Sequence, residues 1–289
     1  MTHRKGYPRL THILSQTDPP HVKQKLANWQ RKNKTTYYAD LGTVVHEWAN
    51  FAALAAGTDA FEDFVSPLWE CKDIDQLWER GYPWECRHPS KGYPMRIWEF
   101  DQKFQHSWFL KAQSLIPILR TVETVLWSEG AVEVEGDFQD DALYYDDGKV
   151  RFTTRPDLVV KFKDRPEPYL VEIKTSKGFY STEPMDGWEI KDGNVLDDKG
   201  NVAPMQRWKF TSLEIGWEKY QKTATQLYAQ SLALGKCTGL SIPYPQHLIW
   251  VVTNRPKNVA TNSCQILRVK HDRAEDWAER VNRYFSQAV

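Results

Sequence analysis

Cysteine is scarce in this sequence. There are four in 289 residues, Cys71, Cys86, Cys237 and Cys264, and no two stand at CxxC spacing. That excludes a thioredoxin-like redox motif, a zinc ribbon and a disulfide-stapled small fold. Long apolar runs are missing as well. No stretch is long enough to span a bilayer, and the opening MTHRKGYPRL lacks a signal-peptide core. No membrane partner is expected, and reduced thiols in a cytoplasmic setting are. Net charge is the third absence: 38 Lys and Arg balance 38 Asp and Glu. Whole-molecule steering toward nucleic acid is therefore not evident.

What remains is ordinary globular material, 41% apolar and 26% charged. Its length suits one large domain or two small ones. The charge is unevenly spread. Residues 1–35 carry eight Lys or Arg against Asp18, and residues 129–147 carry eight acids with no Lys or Arg. Such asymmetry fits a protein with one phosphate-facing side, although any single run is more often a solvated surface.

The most informative stretch is RFTTRPDLVVKFKDRPEPYLVEIKTS, residues 151–176. Two strand-like runs, 150–162 and 169–175, flank KDRPEP, a polar connection with two prolines that reads as a hairpin loop. If the loop joins the strands symmetrically, Asp157 faces Lys174 and Glu172 faces Val159. Side chains alternate along a strand, so Asp157, Glu172 and Lys174 share one face, while Leu158, Val160, Val171 and Ile173 share the other. Opposed Cβ atoms lie about 5 Å apart. Two carboxylates and an ammonium then converge at the open end of the hairpin. Carboxylates so placed suit a hard cation such as Mg²⁺; the bland alternative is a solvent-facing salt-bridge ladder. The same tripeptide recurs as Glu189-Ile190-Lys191. There it precedes Asp192-Gly193, a turn signal, and has no matching Asp, so it reads as an exposed hairpin.

The Pro156-Asp157 and Glu172-Ile173-Lys174 pattern resembles the signature of the PD-(D/E)XK nuclease superfamily. Within it, the sequence is most similar to the RecB-like branch, which includes phage exonucleases and the mitochondrial genome maintenance exonuclease. The resemblance spans about residues 8–57 and 120–270. It implies an α/β fold, a restriction-endonuclease-like core whose mixed central sheet is flanked by helices. It also implies Mg²⁺ or Mn²⁺ held by Asp157, Glu172 and the backbone carbonyl of Ile173, with Lys174 orienting the attacking water. His46 matches the upstream helical His of this branch and Gln226 its helical Gln. The branch usually has Tyr four residues after that Gln, whereas position 230 here is Gln. Glu123 sits where members often carry a further metal-site carboxylate. Some members hold an iron–sulfur cluster through a tight cysteine trio, which is lacking here, so no cluster is expected.

Taken in order, residues 1–35 read as a basic N-terminal arm, with Ile13, Leu26 and Trp29 packing on the body. Residues 38–56 read as a helix stopped by Gly57, with His46 beside a strip of small residues, Gly42, Ala49 and Ala53. Residues 59–98 read as an irregular aromatic insertion, more often a mini-core than a base-stacking platform. A helix is predicted over 101–120, a strand over 122–129 and a hairpin turn at Asp147-Gly148. Residues 176–213 read as a flap-like insertion, in which Lys177, Arg207 and Lys209 are candidate phosphate contacts. A helix follows over 214–234, ended by Gly235, then strands over 247–254 and 264–270 and a last helix opened by Asp272. The whole reads as one nuclease domain over 1–289 with its catalytic core in 120–270. The expected activity is metal-dependent exonucleolysis of DNA. Single-stranded DNA with a free end is favoured by the basic arm, the 13 Trp residues and the two insertions, which could roof a channel. The alternatives are a flap or junction endonuclease on the same fold and a non-catalytic nucleic-acid-binding module.

Overall fold

Residues 169–174 (YLVEIK) and 247–253 (HLIWVVT) are short runs rich in β-branched and aromatic side chains, and the fold is built round their pairing. In the structure, a computed structural model, residues 7–18, 37–87, 94–128, 143–176, 180–184, 187–197, 199–203, 207–253 and 264–286 are described. The helices are α1 (Leu10–Gln16), α2 (Tyr37–Ala55), α3 (Ala60–Glu70), α4 (Ile74–Glu79), α5 (Gln102–Leu119), α6 (Arg207–Thr238) and α7 (Ala274–Ser286). The strands are β1 (Glu85–Arg87), β2 (Pro94–Arg96), β3 (Val122–Ser128), β4 (Leu143–Asp146), β5 (Arg151–Thr154), β6 (Leu158–Phe162), β7 (Arg165–Ser176), β8 (Glu189–Lys191), β9 (Asn194–Leu196), β10 (His247–Thr253) and β11 (Cys264–Arg268).

Five strands form the central sheet in the order β11-β10-β7-β6-β3. β7 and β10 run parallel and the other pairs antiparallel. A parallel pair needs a long crossover, which α6 supplies. The fold is thus mixed α/β with helices on both sheet faces. Alternation along the strands sorts the core into two layers. Leu158, Val160, Val171, Ile173 and Trp250 pack against α2, α3 and α5. Val159, Leu170, Ile249 and Val251 pack against α1, α6 and α7. Among the described residues, no helix is long and apolar enough to cross a membrane.

Helix α2 buries Leu41, Val44, Val45, Trp48 and Ala52, as the pattern predicts. Gly57 follows it at φ +81°, where a Cβ would lie 2.5 Å from the Glu123 carbonyl oxygen; only glycine fits. Gly42 has a second use. A Cβ there would meet Thr175 Oγ1 at 2.9 Å, so its absence lets α2 lie close on β7.

Several expectations are corrected. The hairpin loop is not KDRPEP but a two-residue turn at Lys163–Asp164, and Pro166 and Pro168 lie inside β7. β10 pairs with β7 only from Leu170 onward, so on that side the missing proline N–H groups break no ladder bond. The shorter turn moves the register by two. Leu158 faces Val171 and Val159 faces Leu170; extended by one residue, Asp157 faces Glu172, not Lys174. A shift of two preserves which face each side chain occupies. Within the segment read as irregular, Ala60–Glu70 and Ile74–Glu79 are the helices α3 and α4. Phe61, Val65 and Leu68 fall at helical spacing and are buried, and Asp73 caps α4 by accepting from the Gln76 N–H. The aromatics there form the mini-core: Trp84 and Tyr82 are buried, and Trp78 stacks on Trp108. Of the exposed rings, Trp69 lies under Arg120 and Trp98 under Arg96. Helix α6 begins at Arg207, seven residues before the predicted start, and runs through Gly235 to Thr238.

Other expectations hold. Glu189-Ile190-Lys191 is an exposed strand of the β8–β9 hairpin. Leu10, Ile13 and Leu14 of α1 are buried against the α6–α7 layer, and Asp18 pairs with Lys222 at 2.5 Å and Arg280 at 3.3 Å. Leu26, Trp29, Lys177, the basic residues of the arm other than Arg9, and positions 129–142 of the acidic run lie outside the described residues.

Candidate active site

Helices from both layers reach the end of β7 near Glu172–Ser176. α2 reaches it through Gly42 and His46, and α6 reaches it through Lys219, Gln226 and Gln230. Asp157 and Glu172 lie between, 4% and 3% exposed.

Asp157 follows Pro156 and precedes β6. Its Oδ2 accepts the Ile173 N–H at 2.6 Å, and its Oδ1 lies 3.6 Å from Nδ1 of half-buried His46. The contact with Ile173 is therefore through its N–H, an addition to the carbonyl that sequence reasoning singled out. Glu172 is held more tightly. Its Oε1 accepts from Lys174 Nζ and, at 2.5 Å, from Gln226 Nε2, while Oε2 accepts from Gln230 Nε2 at 3.0 Å. The same Gln230 amide donates to the Arg155 carbonyl at 3.1 Å. Gln230 thus ties Glu172 to the chain entering Asp157. It is fully buried, and sequence reading passed over it as a departure from a Tyr. The available signal was two amides at i and i+4 on one helix face, which must find partners when buried.

Asp157, Glu172, Lys174, His46 and Gln226 are all brought together. Glu123 is not. β3 runs antiparallel to β6, with Val122 opposite Phe162 and Ser128 opposite Leu158. Glu123 is therefore exposed at the turn end of the sheet, about 15 Å from the Asp157 end at 3.3 Å per residue. The residue of β3 nearest the site is Ser128, which donates to Asn50 Oδ1 at 3.1 Å; Asn50 lies one turn beyond His46 on α2.

The electrostatics split the two acids. Burial pushes the Asp157 carboxyl up, but the charge and hydrogen bond of His46, then Lys174 and the Ile173 N–H, outweigh it and hold it below the usual range. Glu172 moves the other way. Burial and the Asp157 charge raise it, and Lys174 and Gln230 offset this only in part. Burial also opposes the charged form of Lys174, yet Glu172, Asp157 and Tyr180 keep its affinity for protons above the ordinary lysine value. His46 is raised: Asp157 overcomes the lowering by burial. These neighbours favour the protonated form of Lys174.

The donor set fits a hard divalent cation. Among the described residues no three His, Cys, Asp or Glu side chains form a ready-made metal group. Mg²⁺, however, is commonly held by one or two carboxylates with waters completing its shell. Two adjacent carboxylates, one with a raised pKa, form a centre that an added positive charge would relieve. Compared with models of known protein families, the chain matches none, and no curated protein matches it either.

Proposed function

We propose that the protein is a Mg²⁺- or Mn²⁺-dependent deoxyribonuclease with a restriction-endonuclease-like core, acting as an exonuclease on single-stranded DNA with a free end. The observation that carries this reading is the Asp157–Glu172–Lys174 cluster at one strand end, its two carboxylates buried and Glu172 fixed by amides from a neighbouring helix. Four free thiols are compatible with a cytoplasmic enzyme.

Asp157 and Glu172, with the Ile173 carbonyl, would hold the cation. Bound there, it would supply Lewis-acid polarisation of a phosphate oxygen and activation of water. The chain's own groups do the rest. Lys174 presents a permanent ammonium to negative charge building on the phosphate. Gln226 and Gln230 keep Glu172 from swinging away, and His46 steadies Asp157. Precise placement of such groups matters because small displacements lose large rate factors.

The test is cleavage of linear single strands, circular single strands and blunt duplex, with Mg²⁺ and with EDTA. Linear single strands are expected to be degraded with Mg²⁺ only. Asp157→Ala, Glu172→Ala and Lys174→Ala are each expected to abolish cleavage while DNA binding persists. Rapid cutting of circles would replace the exonuclease with a flap or junction endonuclease. Binding without cleavage under any divalent cation would leave a non-catalytic nucleic-acid-binding module.

A further inference from the structure

One face of α6 carries Lys219, Thr223, Gln226 and Gln230, which fall within about 60° of one another at 100° per residue. The lower two hold Glu172. The upper two meet the end of β7 and the segment after it. Lys219 Nζ donates to Ser176 Oγ at 3.2 Å and lies 5.9 Å from the centre of the Tyr180 ring. Thr223 lies near the Tyr180 hydroxyl. Tyr180 is buried, whereas Lys219 is exposed.

Lys219 differs from the cations around it in its partners. Lys174, Lys222, Lys270, Arg273, Arg280 and Arg283 each form an ion pair with a carboxylate. Among the described residues, Lys219 contacts a hydroxyl and a ring and no carboxylate. A lysine ordered this way loses rotamer freedom without gaining an ion pair, so its charge stays available to an outside anion. Its location is specific. Ser176 lies two residues beyond Lys174 on the same strand, so both point to the same face, about 7 Å apart. That spacing is comparable with one nucleotide step of an extended strand.

We propose that Lys219, with Ser176 and Tyr180, forms a subsite for the backbone phosphate next to the one being cut. The inference rests on the nuclease reading above and extends it: it sets the direction in which the strand leaves the site, along α6 away from Gln230. Lys174 and Lys219 would then face two successive phosphates.

The test uses full-length protein carrying Asp157→Asn, so that the oligonucleotide survives, with or without Lys219→Ala. Binding of a short single-stranded oligodeoxynucleotide is measured across a salt series. Lys219→Ala is expected to weaken binding about fivefold or more at low salt and to reduce the salt slope by about 0.7, the value for one lost phosphate contact on a single strand. Lys219→Arg should restore most of both, and Lys219→Gln should behave like Ala. A neutral methylphosphonate one nucleotide from the cleavage position should weaken binding with Lys219 present and have no further effect without it. Equal affinity and slope in the presence and absence of Lys219 would overturn the subsite and leave the nuclease reading intact. A parent protein that binds no DNA at all would overturn both.

Discussion

Lys111 offers the sharpest test of the structure itself. It lies on α5 among Trp108, Ala112 and Leu115, 3% exposed, and its Nζ donates to the Val252 carbonyl at 3.0 Å. No carboxylate faces it among the described residues. Burial lowers its pKa from 10.5 to about 8, against a small opposing effect of Cys264. At 1.36 kcal/mol per pKa unit, the protonated amine disfavours folding by about 3 kcal/mol at neutral pH. The sign follows from proton counting. Between about pH 8 and 10.5 the unfolded chain holds the proton and the folded chain does not, so stability from this group rises with pH through that window. Lys111→Met removes the burden but leaves the Val252 carbonyl without this donor, which costs about 1 kcal/mol. The variant is expected to be about 2 kcal/mol more stable than the parent near pH 7. It should be about 1 kcal/mol less stable above the unfolded pKa. Urea unfolding of both proteins at several pH values between about 7 and 10.5 measures the difference, and subtraction cancels the other titrating groups. A stability difference that does not change with pH would refute the buried, unpaired lysine.

The two glutamines offer a further test. Each donates to a buried carboxylate, a bond worth about 1.5–3 kcal/mol. Gln226→Ala or Gln230→Ala is thus expected to lower turnover about tenfold or more. The double variant should lose less than the product of the single effects because both hold one side chain. His46→Ala is expected to destabilise the protein most in acid. The raised His46 pKa means its contribution is fully present below about pH 6.5, its unfolded value, and is lost as pH rises through the folded value; thermal melts of variant and parent at several pH values measure this. A loss of stability that is equal at all pH values, with full cleavage rate retained, would make His46 a packing residue only.

Much of this was legible in the residues, and the failures have identifiable causes. The face shared by Asp157, Glu172 and Lys174 follows from alternation, which a two-residue register error leaves intact. The register itself was not legible, because Pro166 and Pro168 look like loop residues until β10 is seen to stop short of them. Glu123 was misplaced for a related reason. A strand is recognisable from VETVLWS, but its direction against β6, and hence which end reaches the site, is a matter of tertiary pairing. In 59–98 the prolines and aromatics masked the Phe61, Val65, Leu68 spacing of a helix that accommodates Pro67. Gln230 was hidden by comparison with a Tyr, although its own amide, one turn from Gln226, carried the information.

The energetics of the carboxylate pair bear on whether it is a site or only a strut. Two acids almost wholly removed from water are costly, and a buried ion pair is often no more stabilising than apolar residues of the same volume. The network here is also unbalanced. Asp157 is satisfied by an N–H, an imidazole and a nearby ammonium, and its pKa falls. Glu172 receives one ammonium and two amides and its pKa still rises, because burial and Asp157 press on it together. Lys174 favours the charged form of both acids. Burial and the Asp157 charge still hold Glu172 above the usual range, a load that a further positive charge would lighten. The Gln230 bridge meanwhile prevents the pair from moving apart to release it. On the nuclease reading proposed above, a divalent cation held by Asp157 and Glu172 would supply that charge.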